Sequence, residues 1–79
     1  MNRIEKIELA ANLLGISVED AEKWSGNIEE VSAMLFSVPE KGGGSLIIGD
    51  DGGVLYANSS VGITRHLEAY KQGVRTPLN

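Results

Sequence analysis

The chain has 79 residues, a formal charge of −4, 42% apolar and 23% charged residues, a balance that gives one small globular domain and excludes a disordered chain. It has no cysteine, which excludes a disulfide framework, a thiolate metal site and a cysteine nucleophile. No run approaches the roughly 20 apolar residues of a membrane span, and acidic Glu5 and Glu8 interrupt the start where a signal peptide is apolar, so the expectation is a cytoplasmic protein with no membrane contact.

Asn2 to Leu14 predicts a helix. Ile4, Ile7, Ala11 and Leu14 recur at helical spacing, widened by Ala10 and Leu13, and Gly15 is a natural C-terminal stop. Ser17 opens a second, shorter helix, with Asp20 three residues on in the manner of a capping box, Ala21 and Trp24 inward and Gly26 at the end. Asn27 and Glu30 repeat that signal. They predict a third helix from Ile28 to about Ser37, with Val31, Met34 and Leu35 as its apolar side and Pro39 as its stop.

Glu40 to Gly44 reads as a glycine-rich connector. After it, Leu46-Ile47-Ile48 and Val54-Leu55-Tyr56-Ala57 flank Gly49-Asp50-Asp51-Gly52-Gly53, which predicts a β-hairpin. A loop of about four residues pairs Ile48 with Leu55 and Ile47 with Tyr56. One face then carries Leu46, Ile48, Leu55 and Ala57, and the other Ile47, Val54 and Tyr56. A last helix runs from Val61 or Gly62 to Gln72, with Ile63, Leu67 and Tyr70 inward and Gly73 as the C-cap, before a tail from Thr76 to Asn79. The expected architecture is a single α+β domain over 1–79. It has three N-terminal helices (1–39), the connector (40–44), and a two-stranded antiparallel hairpin with a C-terminal helix packed on it (45–79).

The segment from Leu9 to Trp24 is similar to the helix-turn-helix of phage-repressor-like DNA-binding domains: small Ala11, turn Gly15, apolar Ile16, capping Ser17, inward Ala21 and Trp24 fall at matching spacings. The resemblance covers about a fifth of the chain and implies a DNA-binding regulator. It departs at the second helix, which offers Glu19, Asp20, Glu22 and only Lys23 to phosphates. The charge is also uneven. Residues 1–40 hold three cations against eight carboxylates, while residues 41–79 carry a net of +1. An acidic half disfavours nucleic acid and suits a basic protein partner.

The remaining constellations carry little chemistry. Gly42 to Ser45 follows a predicted helix and opens a strand, the reverse of a phosphate cradle. Asp50 and Asp51 lack the alternating oxygen ligands of a calcium loop and read as turn residues. His66, the only histidine, reads as half-exposed on the last helix, and Ser59 or Ser60 as a cap rather than a nucleophile. Trp24 is either core or an exposed anchor.

The sequence therefore predicts no catalytic, cofactor-binding or metal residues. A hairpin apolar on both faces needs cover on each. The expected function is a non-catalytic interaction module that self-associates or binds a partner protein through the hairpin face and strand edge, with Ile47, Val54, Tyr56 and Trp24 at the interface. The alternatives are the DNA-binding regulator and a small neutralising protein of the immunity or antitoxin type.

Overall fold

Two helices start the chain, a four-stranded antiparallel sheet follows, and one helix closes it. The computed structural model describes residues 1–38, 44–58 and 60–77. Pro39, residues 40–43 of the connector, Ser59 and the last two residues of the tail lie outside the described residues.

Helix α1 (Arg3–Leu14) begins where the sequence says it should. The Asn2 side chain accepts from the Glu5 N–H at 2.8 Å, and the Glu5 carboxylate accepts from the Asn2 N–H at 3.0 Å, so two otherwise orphaned donors are satisfied reciprocally. Gly15 ends it at φ +69°, an angle that costs a residue with a Cβ. Helix α2 (Val18–Lys23) is a turn and a half, capped by Ser17 Oγ accepting from Asp20 N–H at 3.1 Å.

The predicted third helix is not there. The chain forms β1 (Ser25–Ile28), a single 3-10 turn (Glu29–Val31) and β2 (Ala33–Ser37) instead. The helix-start signal at Asn27 and Glu30 gives only that one turn. Ser32 then leaves it at φ +50°, in the left-handed region, and redirects the chain. The four consecutive apolar residues Ala33 to Phe36 suit a strand covered on both faces, whereas a surface helix buries a single stripe. Met34 and Phe36 join one core, and Ala33 and Leu35 the other.

Strands β3 (Ser45–Gly49) and β4 (Val54–Ala57) form the expected hairpin, but within a sheet of order β1-β2-β3-β4. The expectation of an isolated two-stranded hairpin is corrected. Three or more strands are what such a ribbon needs to stand in water. The register is corrected too. Ile48 faces Val54 and Ile47 faces Leu55, one residue away from the sequence reading. Gly52, at φ +88°, lets the loop close with three residues, Gly49 N–H bonding to Gly53 O at 2.9 Å. A one-residue slip exchanges the faces of one strand. Val54 therefore joins Leu46 and Ile48, while Leu55 joins Ile47.

Helix α3 (Ile63–Lys71) lies over β3 and β4 on the sheet face opposite α1 and α2. The first core packs Ile7, Ala10, Ala11 and Ala21 onto Met34, Phe36, Leu46, Ile48 and Val54. The second packs Tyr70 onto Ala33, Ile47 and Leu55. Burying each large side chain contributes about 1.5–3 kcal/mol. The chain's own helices thus cover both hairpin faces. Among the described residues no helix is long and apolar enough to cross a membrane.

Candidate functional site: the open edge of the sheet

A four-stranded sheet has two edges, and this chain treats them differently. On β4 the alternating ladder aims the main-chain groups of Val54 and Tyr56 outward. The C-terminal segment meets them: Thr76 N–H donates to Val54 O at 2.7 Å, and Tyr56 N–H donates to Thr76 Oγ1 at 2.9 Å. Gly73, at φ +92°, makes the reversal after α3 that brings Thr76 there, with Val74 N–H bonding to Ala69 O at 3.1 Å.

On β1 the Trp24 carbonyl accepts from Ser37 N–H at 3.2 Å, which places Trp24, Gly26 and Ile28 in the ladder facing β2. The main-chain groups of Ser25 and Asn27 alternate to the outside. Among the described residues nothing pairs with them. Gly26, at the centre, is exposed, and a Cβ added there would meet no atom within 4 Å.

Beside this edge the apolar cover is incomplete. Ile28, Val31 and Leu35 pack against the second core only from its margin and stay partly exposed, because α3 sits over β3 and β4. Trp24, the largest apolar side chain, is half-buried and belongs to neither core. Carboxylates flank it along the chain, on α2 before it and on the 3-10 turn after β1. Glu22 is held by Arg3 at 2.9 Å and Glu30 by Lys71 at 3.1 Å, while Glu19, Asp20 and Glu29 take part in none of the ion pairs among the described residues.

The predicted interface residues separate. Ile47 is 1% exposed and Val54 3%, so both are core and neither offers a surface. This corrects their assignment, and its cause is the cover that α1 and α3 give the hairpin. Tyr56 is 46% exposed, in a groove with Leu13, Leu46, Val54, Thr76 and Pro77. Only Trp24 lies at the open edge.

Sequence reasoning missed a buried polar pair. His66 is not half-exposed but 1% exposed. Its Nε2 lies 2.8 Å from Leu55 O and its Nδ1 lies 2.7 Å from Ser45 Oγ. A carbonyl only accepts, so in the neutral ring Nε2 carries the proton and Nδ1 accepts from the Ser45 hydroxyl. Asp50 and Asp51 sit at the other end of β3 and do not orient His66. With a main-chain carbonyl in place of a carboxylate and Ser45 only 8% exposed, the pair acts as a clip fastening α3 to β3 and β4. The sequence signal was a small polar residue opening an apolar strand, with the sole histidine on the following helix.

A second polar cluster closes the opposite end of the sheet. Buried Lys6 donates to the Asp50 carboxylate, and that hydrogen bond holds the Asp50 carboxyl below its ordinary value, with the charge of Lys6 adding to it. Arg75 stacks on the Tyr70 ring at 3.7 Å and donates to the Tyr70 carbonyl at 2.9 Å. Burial raises the Tyr70 phenol above its ordinary value, opposed by Arg75 and helped by Asp51 and Asp50. Lys6 and Asp50 pair with one another, and Arg75 is held by the Tyr70 ring and by the carbonyls of Tyr70 and Val74. Among the described residues no group of three or more side chains could hold a metal ion, and no buried side-chain polar atom lacks a partner.

A short turn from Gly15 to Ser17 joins α1 to α2, and α2 is followed at once by β1 and exposes Glu19, Glu22 and Lys23. No protein-family model, curated protein or solved structure matches this chain.

Proposed function

We propose that the protein is a non-catalytic interaction module that takes up an extended protein segment along the β1 edge. The observation that carries this reading is the asymmetry of the sheet: the chain covers the β4 edge with Thr76, while the outward main-chain groups of Ser25 and Asn27, beside a half-buried Trp24, have no partner among the described residues. Unpaired strand edges recruit further strands, and main-chain hydrogen bonds supply the affinity of such docking. The hairpin face plays no part in it.

The test is a selection from a peptide display library unbiased in charge, on the immobilised chain. Enriched peptides are expected to shift the amide resonances of Ser25 and Asn27 and to lose about tenfold or more in affinity against Asn27→Pro. That substitution removes an outward N–H and spares the β1–β2 ladder, and a thermal melt checks that the variant is folded. A library that enriches nothing, or peptides that leave the Ser25 and Asn27 amides unmoved, overturns the reading.

A further inference from the structure

The charge around the β1 edge narrows the partner, and this step rests on the edge-docking reading above. We infer that the segment taken up at β1 is basic: a strand with Lys or Arg at its ends and an apolar residue between them, supplied by a different protein rather than by a second copy of this chain.

The outward main-chain groups of Ser25 and Asn27 make a short docking line, since four residues of strand span about 13 Å. An incoming strand of four or five residues would use all of them. Its ends would then lie against carboxylates. Glu29 and Glu30 follow β1 directly, and Glu19, Asp20 and Glu22 precede it on α2. Two of these are neutralised from within the chain, Glu22 by Arg3 and Glu30 by Lys71. Glu19, Asp20 and Glu29 take part in no ion pair among the described residues, and the local cation left over is Lys23.

A second copy docked edge to edge would bring these carboxylates against those of its partner, and like charges brought together disfavour that pairing. A basic strand meets complementary potential instead. Between the charged ends, the partly exposed Trp24, Ile28 and Leu35 give an apolar side chain of the strand something to pack on. Trp24 is the only tryptophan, so occupancy at the edge is readable in its emission.

The experiment titrates the whole chain with two synthetic hexapeptides, Lys-Val-Thr-Val-Thr-Lys and its Glu-ended counterpart, following Trp24 fluorescence and the Ser25 and Asn27 amides. The basic peptide is expected to bind at least tenfold more tightly. Its affinity should fall about tenfold or more between about 50 and 500 mM salt, as screening removes the charge contribution. Glu29→Gln combined with Glu19→Gln should weaken it several-fold without altering the melt. If the Glu-ended peptide binds at β1 as well as the basic one, the edge reading stands and the basic-partner inference falls. Light scattering that gives a dimer whose Ser25 and Asn27 amides are protected overturns the inference in favour of a second copy. If neither peptide binds, this inference fails, and the charge-unbiased selection decides the edge reading separately.

Discussion

Ser45 Oγ lies 2.7 Å from His66 Nδ1, and both residues are buried, so helix α3 is held to the sheet by a hydrogen bond as well as by apolar contact. Ser45→Ala leaves Nδ1 buried without a donor. The expected cost is about 1–3 kcal/mol, which lowers the melting temperature by about 4–8 °C per kcal/mol in a domain of this size. His66→Ala adds a cavity and costs more. The double variant should cost less than the sum of the singles, because each single leaves a partner stranded. Thermal melts of the three variants check this.

Ser32 sits at φ +50° with a Cβ, at the point where the 3-10 turn gives way to β2. Left-handed backbone costs an L-residue about 1–2 kcal/mol, part of which a glycine returns through its looser unfolded chain. Ser32→Gly is expected to stabilise by about 0.5 kcal/mol, a small upward shift of the denaturation midpoint. Gly49→Ala should act in the opposite sense, by about 1–3 kcal/mol, since the added methyl would collide with the Tyr70 hydroxyl.

The pH limits of stability follow from two groups. Asp50 is held below its ordinary 3.8 by Lys6, so its contribution is present above about that pH and is lost as pH falls through the lower folded value. Asp50→Asn should flatten this acid limb, and it also leaves the Lys6 ammonium buried without its carboxylate. Tyr70 is held above its ordinary 10.0 by burial, so its contribution is intact below that pH and is lost as pH rises through the folded value. Tyr70→Phe should flatten the alkaline limb. Urea midpoints measured across pH test both.

Thr76 holds the β4 edge through two hydrogen bonds. A chain ending at Arg75 loses both. It is expected to exchange the Tyr56 amide about tenfold faster or more and to become less soluble as concentration rises. Unchanged exchange at Tyr56 would show that the segment does not protect the strand.

Much of this fold is legible where local chemistry and tertiary structure agree. Asn2, Glu5, Gly15 and Ser17 mark real helix ends, and the hairpin turns where its aspartates and glycines cluster, although Gly53 pairs with Gly49 and the loop is one residue shorter than the sequence reading. Legibility fails from Asn27 to Ser37. There a valid helix-start signal is overruled one turn later, because Met34 and Phe36 have one core to enter and Leu35 another. The greasy hairpin did report a missing neighbour. That neighbour was β2, from the same chain, rather than another molecule. The orientation of α3 was hidden for a similar reason. Its inward face is set by His66 finding Ser45 and the Leu55 carbonyl, which leaves Ile63 at 57% exposure despite its place in the apolar stripe. A strand edge was legible as a docking surface but not which one, since the open edge belongs to β1, where the sequence signals the junction of two helices.

That fold-back also limits how far any assembly can grow. A sheet bare on two sides propagates, each newcomer presenting a fresh template to the next. Under the edge-docking proposal a strand is taken up on the β1 side alone, because Thr76 already occupies the outward groups of Val54 and Tyr56 on the other, so growth from that second side is disfavoured.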